Sequence, residues 1–122
     1  MASATTARSI AQKAIGQQGR VDTVKLAREL DIPLEALAGA LKKTRRYLNM
    51  DPKAKSIQVE AIKIVRMMDE LSERLGERRF ALFWLKTPQP EFGGKTPIEC
   101  MREGRLELVL GLAHDIAFMV PD

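Results

Sequence analysis

Cysteine, histidine and aromatic residues are scarce in this chain, and each scarcity removes a class of function. One cysteine, Cys100, allows no internal disulfide, and one histidine, His114, leaves no Cys/His cluster to hold a metal. A reducing cytoplasm is the expected compartment. No apolar run approaches the roughly 18 residues of a membrane span. The opening Met-Ala-Ser-Ala-Thr-Thr-Ala has no long apolar region either, so export is not expected. With aromatics at 5% and few β-branched runs, packed helices are favoured over sheets, and an all-α fold is expected. No nucleophile–base pair and no phosphate-cradling loop is evident, Gly93-Gly94 alone being too weak a signal for one. His114 falls on a polar helix side with Glu107 and Gly111, where no supporting group stands beside it. The chain is therefore not expected to be an enzyme or to need a cofactor.

What is present is charge, unevenly placed. The 122 residues suit one domain or two very small ones sharing a core. The net charge is +4, yet the first 55 residues carry 11 Lys and Arg against 5 Asp and Glu, and the remainder 9 against 11. A basic nucleic-acid face in front and a protein-binding role behind would account for this, and so would an ordinary solvated surface with a basic bias.

Thr5 to Ile15 has helical spacing, with Gly16-Gln17-Gln18-Gly19 as its stop. Asp22 is a good N-cap for a helix carrying Val24, Leu26, Ala27 and Leu30, and after Asp31-Ile32-Pro33 another runs through Leu34, Leu37, Ala38 and Leu41. Asp51-Pro52 offers a cap and first-turn proline for a long helix whose Ile57, Ala61, Ile64, Met68, Leu71 and Leu75 form one apolar seam closed by Gly76. A short helix through Phe80, Leu82, Phe83, Trp84 and Leu85 ends at Pro88-Gln89-Pro90. A boundary is expected near Asn49 to Pro52, between a front domain of residues 1–50, expected to be the DNA-binding one on the grounds that follow, and a back domain of residues 51–122, expected to serve protein binding and dimerisation.

Residues 23–41 have helix-turn-helix spacing. Ala27 is small where two backbones must approach, Leu26, Leu30 and Leu37 fill the wedge, and Ile32 buries itself from the turn. Asp31 stands where this motif often has glycine, a position Asp tolerates. A helical hairpin with no DNA role would need similar apolar positions. The expected recognition helix presents Pro33, Leu34 and Glu35, with Ala38, Gly39 and Lys42 further along. Leu34 and Glu35 are poor base readers, whereas Lys42, Lys43, Arg45 and Arg46 suit phosphates. These six are the DNA-binding candidates. The basic cluster would equally suit a solvated helix end.

Residues 84–104 read W-L-K-T-P-Q-P-E-F-G-G-K-T-P-I-E-C-M-R-E-G. Pro88 and Pro90 stiffen an extended segment, Phe92 can anchor it, and Gly93-Gly94 can turn back with positive φ. Thr96, Pro97 and Glu99 form a capping box with a proline at the first helical position, and Gly104 stops that helix. This order resembles the toxin-binding domain of the Xre/MbcA/ParS antitoxin family, over about residues 50 to 120, with the helix-turn-helix as its usual companion. Gln89 departs from the asparagine that many members carry between the prolines.

The resemblance implies an antitoxin of a toxin–antitoxin pair, not itself an enzyme. It would bind a RES-domain toxin that consumes NAD or transfers ADP-ribose from it, cover that toxin's active site, and bind operator DNA to repress its own operon. A stand-alone transcriptional regulator without a toxin is the alternative. Trp84, Lys86, Phe92, Gly93, Gly94 and Lys95 are the toxin-binding candidates in the distinctive block, though Trp84, Phe92 and the glycines also have an architectural reading.

The final helix, Arg105 to about Val120, spreads its apolar residues over roughly 200° of circumference, wider than the roughly 100° stripe a one-sided surface helix needs. One flank is expected to meet another chain, so a homodimer through the back half is expected, as is a larger hetero-oligomer with the toxin. A helix buried on several sides of one subunit is the alternative. Phe118 lies off the main apolar face and Pro121 must end the helix, so Phe118, Met119, Val120, Pro121 and Asp122 are read as a plug for the toxin's NAD pocket. The Asp122 side-chain carboxylate, and its α-carboxylate if this is the true terminus, would take positions meant for the pyrophosphate. A frayed chain end is the other reading of this tail.

Overall fold

Each helix begins and ends where nearby groups satisfy the free backbone atoms at its termini. The computed structural model describes residues 9–16 and 19–119. α1 (Ile10–Ala14) is capped by Ser9, whose hydroxyl accepts from the Gln12 amide while the Gln12 side chain accepts from Ser9 N–H. The expected earlier start at Thr5 and the Gln17-Gln18 stop lie outside the described residues. A single antiparallel bridge pairs Ile15 with Val21. Asp22 caps α2 (Thr23–Leu30) as expected, accepting from the Lys25 amide. Asp31 adopts the left-handed conformation (φ 54°) that the tight turn requires, and α3 (Leu34–Ala40) follows. The wedge residues Leu26, Ala27, Leu30, Ile32 and Leu37 are all buried.

A second tight turn follows at once. Lys42 is also left-handed (φ 58°), Thr44 caps the next helix by accepting from the Tyr47 amide, and α4 (Arg45–Met50) runs with Leu48 fully buried. The sequence reading had no helix here. It also placed the start of the long helix too early. Asp51 is the C-cap of α4, the Pro52 carbonyl accepts from both the amide and the hydroxyl of buried Thr23, and α5 (Gln58–Leu75) begins only after a 3₁₀ turn at Lys55–Ile57. The seam itself is as expected, with Ile57, Ala61, Ile64, Met68 and Leu71 buried, Leu75 half-buried, and Gly76 closing the helix.

α6 (Arg78–Leu85), a 3₁₀ turn at Pro90–Phe92, α7 (Pro97–Arg102) and α8 (Leu106–Met119) complete the chain. α5 is the axis, packing against α1, α6 and α8, while α3 packs chiefly on α7. Side chains of α5 bind the front of the chain directly. Asp69 accepts from the free amides of Ile10 and Ala11 at 2.8 and 3.1 Å, and Gln58 brackets Val21, accepting from its N–H and donating to its carbonyl. One apolar cluster consequently runs from Ile10 to Ala113 across both halves. The seam along α5 faces this core, so its apolar side is covered within the subunit.

Candidate functional site

Two surfaces carry the residues picked out from the sequence. In the front half, α3 is not free. Ala36, Leu37, Ala38 and Ala40 are buried and Leu34 is half-buried. A Cβ on Gly39 would stand 2.8 Å from the Arg102 Cα and nearer still to the Arg102 carbonyl oxygen, so α3 and α7 touch backbone to backbone where glycine alone fits. The Arg102 guanidinium donates to Glu35 at 2.6 Å across the same joint. Ala38 and Gly39, expected to face outward with Lys42, do not: Ala38 is buried and Gly39 meets α7. Leu34 and Glu35 stay at the edge of that joint.

Lys42, Lys43, Arg45 and Arg46 are all exposed, gathered in the turn before α4 and in its first two residues. Lys43 lies 4.9 Å over the ring of Tyr47, whose hydroxyl shares a 2.9 Å hydrogen bond with Ser56. Asn49 is exposed one turn along. α4 thus has an inner side fixed by Leu48 and an outer side of cations and one amide. This helix leaves little sign in the sequence, since six residues holding one fully buried side chain have no legible period. The turn signal was Lys42-Lys43-Thr44, with Thr44 as a cap.

In the back half, the block from Trp84 to Lys95 folds as one unit. Trp84 is buried, and its indole N–H has no partner among the described residues. Phe92 is also buried. Lys86 is exposed and binds Asp31 at 2.6 Å, which holds the Asp31 carboxyl below its usual range by hydrogen bonding and then by charge. The loop closes on itself: the Gln89 amide donates to the Lys95 carbonyl, the Gly94 amide to the Gln89 carbonyl, and the Gln89 side chain to the Thr87 carbonyl at 2.9 Å. Gly93 and Gly94, at φ 66° and 88°, make the reversal.

Lys95 pairs with Glu103 at 2.7 Å, which raises the lysine pKa, the hydrogen bond outweighing the charge. The expected capping box is present. Thr96 accepts from the Glu99 amide and Glu99 accepts from the Thr96 amide, an interaction that lowers the Glu99 pKa. Burial raises the Cys100 pKa.

α8 keeps Leu106, Val109, Ala113 and Ala117 inward, with Leu110, Leu112 and Ile116 half-buried. Its outer side carries exposed Glu107, Leu108, Gly111, His114, Asp115, Phe118 and Met119. Phe118 is 65% exposed and Met119 79%, and the Phe118 ring lies beside that of His114, with ring centres 4.4 Å apart. Val120, Pro121 and Asp122 of the expected plug lie outside the described residues. Two aromatic side chains that the sequence reading left without a role, Phe80 and Phe83, are also exposed on α6. Their three-residue spacing, set against inward Ala81, Trp84 and Leu85, was the signal for an outer side.

An all-helical chain with two consecutive tight helical turns in front and a proline-glycine loop between helices behind is thus defined. Residues 71–112 match the model of the family described as the antitoxin Xre/MbcA/ParS C-terminal toxin-binding domain. The matched segment, from the end of α5 into α8, is thus similar to a toxin-binding domain of that family. No curated protein and no solved structure matches the chain. No helix among the described residues is long and apolar enough to cross a membrane.

Proposed function

We propose that the chain silences a RES-type toxin that consumes NAD or transfers ADP-ribose from it, by covering the toxin's active site, and that it represses its own operon by binding operator DNA. It acts by binding, in the cytoplasm, and carries out no reaction itself. The observation that carries the toxin half is the family match over residues 71–112, which spans α6, the Pro-Gln-Pro loop, α7 and the start of α8. Within it, Lys86, Gly93, Gly94 and Lys95 offer exposed contacts, while Trp84 and Phe92 hold the loop in shape from inside.

The DNA half rests on the exposed cluster Lys42, Lys43, Arg45 and Arg46. In this reading α3 and α4 form the helix-turn-helix, and α4 rather than α3 enters the groove. α3 is sealed by α7, while α4 presents Arg45, Arg46 and Asn49, side chains suited to phosphates and base edges. Leu34 and Glu35 then lie beside the DNA at most. A homodimer belongs to this reading, because one short helix offers few base-reading groups and two copies would occupy successive half-sites. The division at residues 50 and 51 is one of labour within a shared core.

The segment from Phe118 to Asp122 is proposed as the inhibitory element, since Phe118 and Met119 are apolar and exposed. The test is co-expression with the product of the adjacent toxin gene, comparing the chain with one shortened by residues 118–122. Capture in both cases, with NAD consumption returning only for the shortened chain, is expected. Failure of the intact chain to capture the toxin overturns the antitoxin reading; capture with full silencing by the shortened chain moves inhibition to the Trp84–Lys95 block.

A further inference from the structure

The outer side of α8 carries a groove that no core residue fills. It has a volume of about 310 Å³ and lies between the Glu91-Phe92 turn and the first half of α8, with Leu108, Gly111 and Leu112 along the helix wall. Gly111 is exposed, in mid-helix, and nothing stands within 4 Å of where its Cβ would be. Packing within the subunit therefore does not explain it, although a glycine weakens a helix relative to alanine. A missing side chain on an open helix face permits close approach of another chain.

The rim has one sign of charge. Glu107 has a distant partner, Lys63 at 3.8 Å, but Glu91 and Asp115 make no hydrogen bond or ion pair with any described residue. The same helix face continues to the tail: Phe118 stands seven residues beyond Gly111, two turns or about 10 Å along and within about 20° of the same direction.

We propose that this groove receives a basic, apolar segment of the toxin, with an arginine or lysine side chain lying along Phe92 and Leu112 and its cation reaching Glu91 and Asp115. Charge selects such a segment, since two carboxylates without a partner among the described residues, beside an apolar wall, match a cation carried on a methylene stem. Position selects the toxin, since all but Asp115 lies within the toxin-binding match and the face runs on to the proposed plug. A toxin that accepts the tail in its active site lies along this side of α8. The proposal rests on the antitoxin reading and names a second, separate anchor for it.

The test measures capture of the adjacent gene's toxin, by titration at physiological salt, for three full-length proteins: wild type, Glu91→Lys/Asp115→Lys, and Gly111→Leu. All substituted positions are exposed. The double reversal is expected to melt as wild type does and to bind at least about tenfold more weakly. Gly111→Leu is expected to melt about 3 °C higher, from the gain in helix propensity, while also binding more weakly. A purely structural role would not raise stability and lower binding together. Unchanged toxin affinity in both variants overturns the groove while leaving the antitoxin reading intact. Absence of capture by wild type overturns both. If the variants instead convert a dimer to monomer with toxin affinity unchanged, the groove holds a second copy and the proposal is wrong.

Discussion

α3 and α4 are built by the same local rules and end in opposite environments. Each follows a non-glycine residue forced into the left-handed region, Asp31 at φ 54° and Lys42 at φ 58°, and each is short, at seven and six residues. α3 is closed between the core and α7, with a glycine at the crossing and Glu35 tied to Arg102. α4 buries Leu48 and leaves its cations outside. The difference arises from a long-range partner, and it decides which helix keeps an exposed basic face, the one proposed to meet DNA. It also makes α7 part of both halves: its N-terminus is set by the toxin-side loop through Thr96, and its C-terminal end supports α3.

The sharpest way to break the contrast is Gly39→Ala. A single methyl group would meet the Arg102 backbone, which has no flexible end to move aside, so a loss of about 3 kcal/mol or more is expected in chemical denaturation. α3 and α7 amides are expected to lose hydrogen-exchange protection together. Wild-type stability in this variant would mean that α3 is not sealed.

Asp69→Ala tests the other junction. It removes the acceptor for two free amides at the start of α1, and about 2 kcal/mol is expected to be lost in the same measurement. Protection of α3 and α7 is expected to stay unchanged, which separates this junction from the first.

Thr96→Ala is the mildest. Losing the cap of α7 is expected to cost about 1 kcal/mol. The Glu99 carboxylate that answers Thr96 has a lowered pKa, so its contribution is full above the ordinary glutamate range and is lost as pH falls through the depressed value. The Lys95–Glu103 pair has the opposite sign on the lysine side. Its raised pKa contributes below the ordinary lysine range and is lost as pH rises through the raised value. Thermal melts of both proteins are expected to fall in acid, with a gap that persists there, because the Thr96 hydroxyl accepts from the Glu99 amide at any pH and the residue 96 amide still donates to Glu99 in the variant.

Much of this was legible from residues whose effect is local. Asp22, Asp31, Thr96 with Glu99, and Gly76 each act within a turn or two of their own position, and all do in the structure what their chemistry suggests. The α5 seam was legible because 18 residues repeat one period long enough to be read. α4 was missed because Leu48 is its one fully buried residue among charged neighbours. Gly39 looked like a surface residue of α3, since its reason is Arg102, far along the chain. Trp84 and Phe83 illustrate the same limit. Adjacent on α6, they point about 100° apart, which puts one in the core and the other 70% exposed.

The central claim is that one continuous core presents two separable surfaces, α4 to DNA and the back half to the toxin. The most direct measurement is a paired titration of the Lys42→Ala/Lys43→Ala/Arg45→Ala/Arg46→Ala protein with the DNA upstream of its own gene and with the adjacent gene's toxin. The account predicts that DNA affinity collapses, that the salt dependence flattens by about one unit of slope for each phosphate contact removed, and that toxin capture matches wild type. Retained DNA affinity in the folded variant, or loss of DNA and toxin together, would contradict it.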